Sequence, residues 1–87
     1  MKICYIISDI QKAVYFEQTA FQLKSIGLNV SYILINCTNG ELHQFLLSNG
    51  FRVHTLEAGS LLKSRKVIFA CKKLLKEASV DLVHCHL

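Results

Sequence analysis

Four short apolar runs, spaced along the chain, constrain the fold more than any other feature of the sequence. The first, Lys2–Ser8, reads KICYIIS and is apolar without a break from Ile3 to Ile7. A strand with one face in water alternates apolar and polar residues, whereas an unbroken β-branched run is typical of a strand covered on both faces. The sequence therefore predicts a buried first strand. Three later runs share this character to varying degree: Val30–Ile35, Phe51–Leu56 and Val80–Cys85.

The segments between these runs have helical periodicity. In Ala13–Ile26 apolar residues recur every three or four positions, which predicts a helix with one apolar stripe that ends before Gly27. A short helix is predicted to begin at a T-x-x-E capping box formed by Thr38 and Glu41, and a longer helix spans Leu62–Ala78. A helix in each connection favours parallel strands, and right-handed crossovers arrange them in the order 3-2-1-4.

These patterns predict a three-layer αβα, Rossmann-like fold that is only part of a domain. Single domains usually run to roughly 100–200 residues, so we expect residues 1–87 to form the N-terminal part of a larger unit.

In the third strand Arg52 and His54 alternate with apolar residues, which is typical of an edge strand. The fourth strand lies at the other edge, where an apolar strand without a partner would invite association.

The cysteines and the hydropathy pattern favour a cytoplasmic protein. The four cysteines form no CxxC pair and follow no secretory signal, so buried free thiols are a better interpretation than disulfides. No apolar stretch approaches the length of a transmembrane helix. The cysteines are Cys4, Cys37, Cys71 and Cys85.

The formal net charge is +4, and six of the ten basic residues are concentrated in the third predicted helix. A solvated outer surface is one interpretation of this basic face. Attraction to an anionic membrane, at about 1 kcal/mol per positive charge near the surface, is the other. Nucleic acid is not predicted, because aromatic residues are not interleaved with the basic ones as base stacking requires. The six residues are Lys63, Arg65, Lys66, Lys72, Lys73 and Lys76.

The polar residues at the strand exits do not form a cofactor motif. The first βα turn reads SDIQK and lacks the glycines that bring a backbone close to a pyrophosphate, so no dinucleotide site is predicted. His84 and His86 lie on one side of the fourth strand. A metal site there would need a third ligand such as Cys4 or Asp9, and the spacing alone is too nonspecific to predict one. The alternative is one histidine bonded internally and one exposed at the strand end.

Four segments together carry a resemblance to a known family: MKICYIISD, FEQTAFQLKSIG, NVSYILIN and VDLVHCHL. They resemble glycosyltransferase family 4, whose members are retaining enzymes of the GT-B fold and often act on lipopolysaccharide, capsule or other cell-envelope glycans. The most specific piece is a D-[LIV]-V-H-x-H signature, which Asp81, Val83, His84 and His86 match. The resemblance covers all 87 residues and corresponds to the first half or so of the family's N-terminal Rossmann-like domain.

The resemblance implies that this half of the domain faces a glycan or lipid-linked acceptor. It also implies that a C-terminal domain, absent here, holds the nucleotide-sugar donor, so this chain carries no cofactor and is inactive alone. The implied activity is a hexosyl transfer, in the cytoplasm or on the inner face of the plasma membrane. The acceptor-binding candidates are Ser8, Asp9, Glu17 and His86, although the family's usual Gly-Gly turn is missing after the first strand. The alternative is a small stand-alone α/β binding module that dimerises through strand 4.

Overall fold

The four strands form a single all-parallel sheet in the order β3-β2-β1-β4, which confirms the predicted α/β class and strand order. The computed structural model describes residues 1–8, 14–57 and 65–86, and for residues 65–67 it describes the backbone alone. Asp9, the predicted loop at residues 58–60, and Lys63 lie outside these ranges. The elements are β1 (Lys2–Ser8), α1 (Val14–Ser25), β2 (Asn29–Ile35), α2 (Glu41–Ser48), β3 (Arg52–Leu56), α3 (Arg65–Glu77) and β4 (Leu82–His86).

The central strand β1 pairs with β2 on one side and with β4 on the other, and this register fixes which side chains share a face. Ser8 lies opposite Ile35 of β2, and Ile7 lies opposite His86 of β4. Paired residues point to the same face of the sheet, and neighbours along a strand point to opposite faces. Helices α1 and α2 pack on one face, here called the α1 face, and α3 packs on the other, the α3 face.

Two apolar cores cover the sheet, one on each face. Ile7, Tyr32 and Leu34 anchor the α1 face and are completely shielded from solvent. Ile33 and Ile35 anchor the α3 face, together with Cys4 and Cys71. Fully burying an aliphatic or aromatic side chain stabilises the fold by about 1.5–3 kcal/mol. The unbroken apolar runs of β1 and β2 are thus explained by burial on both faces.

All three helices end in the same hydrogen-bonded turn. After α1, the Gly27 N–H donates to the Lys24 carbonyl at 3.1 Å and the Leu28 N–H donates to the Leu23 carbonyl at 3.1 Å. The chain leaves this turn through a residue with positive φ, which is 85° at Gly27 and 77° at Gly50 after α2. The equivalent position after α3 is Ser79, with φ 53°. Glycine is favoured at such positions because it has no Cβ.

Two local predictions are wrong. Ile26, predicted to belong to the stripe of the first helix, lies beyond the end of α1 and is 70% exposed. The capping box of Thr38 and Glu41 does not form, because α2 begins at Glu41 and its N-cap is Gly40. Asn39 has φ 64°, which takes the preceding residues out of the helix.

The start of α2 is instead held by a histidine. The backbone N–H of Asn39 donates to Nδ1 of His43 at 2.8 Å, and the imidazole is buried. This bond gives a partner to a backbone donor in the turn just before the N-cap and ties that turn to the first turn of α2. It fixes the tautomer of His43, since Nδ1 must be free of a proton to accept.

Candidate functional site

The carboxyl ends of β1 and β4 meet at one rim, as the strand order predicts. Ile7 pairs with His86, so Ser8 and His86 are close along this rim. Their side chains nevertheless point to opposite faces: His86 shares the α1 face with Ile7, and Ser8 shares the α3 face with Ile35. Ser8 is buried, and its Oγ has no hydrogen-bond partner among the described residues. The two candidates therefore cannot contact a ligand from the same face of the sheet.

The α1 face of the rim carries a cluster of rings. His84 and His86 stack with their centroids 4.3 Å apart and their planes 24° from parallel. The edge of the cluster is formed by Tyr5, 5.0 Å from His84, and by Phe16, 4.7 Å from His86. We call Tyr5, Phe16, His84 and His86 the ring cluster. It places an imidazole pair beside α1, where a ligand at the carboxyl end of the sheet would lie.

His86 is the member of the ring cluster best suited to bind a polar ligand. Its Nε2 is shielded from solvent and has no hydrogen-bond partner within the described part of the chain. A buried polar atom without a partner costs about 1–3 kcal/mol. A hydroxyl group that bonded Nε2 would remove that cost. His84, by contrast, is exposed on the edge strand.

The first turn of α1 adds two residues to this rim. Glu17 lies in that turn, as predicted, and is half-buried. A carboxylate is favoured there by the positive end of the helix dipole. Tyr15 is exposed and packs edge-on against Phe16 at 5.3 Å. Sequence reasoning did not select Tyr15, although an aromatic residue that falls outside the apolar stripe of a helix is a signal that could have identified it.

At the carboxyl end of β2, the Asn36 backbone and the Cys37 thiol make hydrogen bonds within the protein. Asn36 has φ 58°, and its N–H donates to the Leu56 carbonyl at 2.9 Å. Cys37 is buried, with its Sγ 3.1 Å from the Ile35 carbonyl oxygen. The bond from Asn36 joins the ends of β2 and β3, and the contact of Cys37 lies within the exit of β2. They give Asn36 a structural role at this rim.

Asp81, the first residue of the family-like signature, lies at the opposite end of the sheet. Its Oδ2 accepts the Lys2 N–H at 2.8 Å, and its own N–H donates to the Lys2 carbonyl at 2.8 Å. The Lys2 ammonium also donates to the Ala78 carbonyl at 3.3 Å. The hydrogen bonds of Asp81 therefore hold the start of β4 against the start of β1. Its role in this structure is to align the two strands whose far ends carry Ser8 and His86.

Two open cavities lined by described residues also lie at the amino ends of the strands. One of about 250 Å³ is bordered by Lys24, Phe51 and Arg52, and one of about 120 Å³ is bordered by Lys2 and Arg52. The lysines there already have partners. The Lys24 Nζ donates to the Asn49 carbonyl at 3.3 Å and lies 5.1 Å from the centre of the Phe51 ring. These cations balance the negative carboxyl ends of the helices.

The cysteines on the α3 face are positioned as structural thiols. Burial raises the pKa of the Cys4 and Cys71 thiols; a hydrogen bond with Ser31 partly offsets this at Cys4, and nearby cysteines raise the pKa of both further. A thiol with a raised pKa is a poor nucleophile, because the thiolate is the reactive form. Cys4, Cys37 and Cys71 are buried as predicted, whereas Cys85 is exposed, and none of these four described cysteines forms a disulfide. Within the described ranges, no three or more His, Cys, Asp and Glu side chains come together in a way that could hold a metal ion.

The class that these observations define is a parallel α/β protein of Rossmann-like topology with an imidazole pair at its carboxyl rim. The described helices include none that is both long and apolar enough to cross a bilayer. Comparison of the chain with protein-family models, with curated proteins and with solved structures finds no match.

Proposed function

We propose that this chain is the acceptor-side part of a retaining glycosyltransferase that moves a sugar from a nucleotide-sugar donor to a glycan or lipid-linked acceptor, in the synthesis of cell-envelope polysaccharide. The observation that carries the proposal is the position of His84 and His86 at the carboxyl end of β4, next to the exit of β1. In parallel α/β sheets this is the edge at which ligands bind. The sequence of β4 resembles the signature of glycosyltransferase family 4.

The proposed roles follow from the geometry of the rim. His86 binds an acceptor hydroxyl through Nε2, on the α1 face, and Glu17 lies in the first turn of the helix that borders it. Ser8 contributes from the α3 face, and Asp9 follows it in the sequence. The family resemblance implies that the donor nucleotide is held by another part of the enzyme, and the lack of glycine in the turn after β1 agrees with this. The enzyme acts in the cytoplasm, either free or at the inner face of the plasma membrane.

Saturation-transfer NMR tests this proposal with simple probes. The probes are the methyl glycosides of glucose, galactose and N-acetylglucosamine, with uridine diphosphate as a donor fragment. At least one glycoside should receive saturation from the chain, and uridine diphosphate should not. His86→Ala should reduce the glycoside signal, while the matched control His54→Ala, an exposed histidine on β3, should not. Saturation of the nucleotide, or of no glycoside, would contradict the proposal.

A second candidate function is a stand-alone binding module that dimerises through β4. The observation that favours it is the exposure of this edge strand, in which Leu82 is 52% exposed and Val83 and Cys85 are also exposed. Apolar strand edges promote pairing with another chain. Sedimentation of the reduced protein should then show a discrete dimer, and Val83→Lys should convert it to a monomer. A glycosyltransferase part would instead use the same edge to pair with a further strand of the enzyme.

A further inference from the structure

The solvent side of α3 combines cationic and apolar side chains on one arc. Lys72, Lys73 and Lys76 are exposed, and so are Ile68 at 48% and Phe69 at 68%. With 3.6 residues per turn these five positions span about 140° of the helix circumference. We call them the outer face of α3. The inner face, which packs on the sheet, is formed by Cys71, Leu74 and Leu75.

Contact with solvent accounts for the exposure of the lysines on the outer face of α3, but it does not account for the exposure of the apolar residues there. A surface helix usually keeps its apolar side chains towards the core and polar ones outwards. Phe69 lies on the side of α3 that faces away from the sheet. Burial of its ring against another surface would contribute about 1.5–3 kcal/mol of stabilisation. Ile68, the preceding residue, is exposed beside it. Each has a lysine one helical turn further along α3: Lys72 follows Ile68, and Lys73 follows Phe69.

This combination has a known physical counterpart. Helices that lie in a membrane interface carry lysines on the polar part of their surface and Phe, Leu or Trp on the part that enters the headgroup layer. Long lysine side chains reach outwards to phosphate groups while their methylene stems stay on the apolar side. We propose that the outer face of α3 docks the chain on an anionic membrane surface, with Phe69 and Ile68 inserted and the three lysines on lipid phosphates.

Charge complementarity and the single ring favour lipid over nucleic acid. Nucleic-acid binding of this kind uses several aromatic rings on which successive bases stack, and the outer face of α3 offers one. The inference deepens the proposed location at the inner face of the membrane by naming the docking surface, and it can be tested separately because binding to vesicles requires no sugar site. It also agrees with the geometry of the sheet. Because α3 lies on the face opposite α1, docking through α3 leaves the ring cluster accessible to an acceptor.

Insertion can be measured directly, because the chain contains no tryptophan. In Phe69→Trp the single indole should shift its emission to shorter wavelength, and lose quenching by acrylamide, when vesicles of phosphatidylcholine mixed with phosphatidylglycerol are added. Vesicles of phosphatidylcholine alone should produce a much smaller change. The matched control is Phe21→Trp, since Phe21 is 48% exposed on α1, on the opposite face of the sheet. Its emission should not change.

Vesicle flotation tests the charges separately from the ring. Replacing Lys72, Lys73 and Lys76 by glutamine should weaken binding to the anionic vesicles by about fivefold per lysine, which corresponds to about 1 kcal/mol each. Phe69→Ala should weaken it at unchanged net charge, and added salt should weaken it further. Lys24→Gln, a control at the far end of α1, should bind as the unmodified chain does.

Three results would each overturn the inference. The first is an emission spectrum of Phe69→Trp that anionic vesicles leave unchanged. The second is a loss of vesicle binding in Lys24→Gln as large as that of a lysine substitution on the outer face. The third is tighter binding to single-stranded DNA than to anionic vesicles at the same ionic strength. None of these results bears on the glycoside signal at His86, so the two proposals can fail independently.

Discussion

Ser79 adopts the backbone conformation that Gly27 and Gly50 adopt at the ends of the other two helices. Its N–H donates to the Lys76 carbonyl at 3.2 Å, so the turn after α3 has the same bonding as the turns after α1 and α2. A residue with a Cβ is strained in the left-handed region by about 1–2 kcal/mol. Serine has no special suitability for that region, in contrast to asparagine or glycine.

A pair of substitutions measures this strain. Ser79→Gly should raise the free energy of unfolding by about 0.5–1 kcal/mol, because relief of strain exceeds the added freedom of the unfolded chain. Gly50→Ala should lower it by about 1 kcal/mol. No atom of the described residues lies within 4 Å of the added Cβ, so backbone strain is the expected cause. Urea denaturation followed by circular dichroism gives both values. A destabilised Ser79→Gly would refute the assignment of strain.

The bond between Asn39 and His43 at the start of α2 yields a second residue-scale prediction. His43→Ala should lower the free energy of unfolding by about 1–3 kcal/mol, because it leaves the Asn39 N–H without an acceptor and removes a buried side chain. Thr38→Ala should change it by less than about 0.5 kcal/mol, as is usual for an exposed position without a special contact. The same urea experiment ranks the two variants. A larger cost for Thr38→Ala would support the capping box that the sequence suggested.

At the scale of the elements, the contact between α3 and the sheet is sensitive to alkaline pH. Burial raises the pKa of Cys71 above its ordinary value of 9.0, mainly by desolvation and then through Cys4 and Cys85. The unfolded chain therefore loses this proton at a lower pH than the folded chain. The contribution of the protonated Cys71 thiol to the free energy of unfolding is fully present below the ordinary pKa. It decreases as the pH rises from about 9 through the raised pKa.

This linkage can be measured under reducing conditions. The free energy of unfolding should fall with pH above about 9, by at most about 1.4 kcal/mol per pH unit for each raised thiol. Cys71→Ala should show a shallower decline than the unmodified chain. Cys85→Ala is the control: it removes an exposed thiol from the same face and only the smallest contribution to the raised pKa of Cys71, so its decline should stay steeper than that of Cys71→Ala. If the free energy of unfolding fell with pH at the same rate in both variants, Cys71 would not be the source of the alkaline destabilisation.

The elements show which parts of the structure could be predicted from sequence. The strand order followed from unbroken apolar runs and from crossover handedness, both of which are properties of whole segments. The face on which a rim residue lies depends on register to the single residue, so sequence reasoning grouped Ser8 with His86 although they point apart. The capping of α2 depends on a positive φ at Asn39, which a T-x-x-E pattern does not reveal.

At the scale of the whole molecule, the two ends of the sheet have different chemistry. The amino end is held by bonds of Lys2 and Asp81 and by Lys24 at a helix carboxyl end, so these three charged side chains have structural partners. The carboxyl end carries polar atoms without partners in the described chain, on Ser8 and His86. Unpartnered polar atoms are expected where a ligand or another segment supplies the missing bond. The central claim is that the carboxyl rim binds an acceptor sugar.

Chemical-shift mapping of the ¹⁵N-labelled chain during titration with the methyl glycosides tests this claim most directly. The account predicts that the largest amide shifts fall on Ser8, Tyr15 and His86. It predicts no shift at Lys24 or Arg52, which border the cavities of the amino end. Shifts concentrated at Lys24 and Arg52, or a spectrum that no glycoside changes, would contradict it.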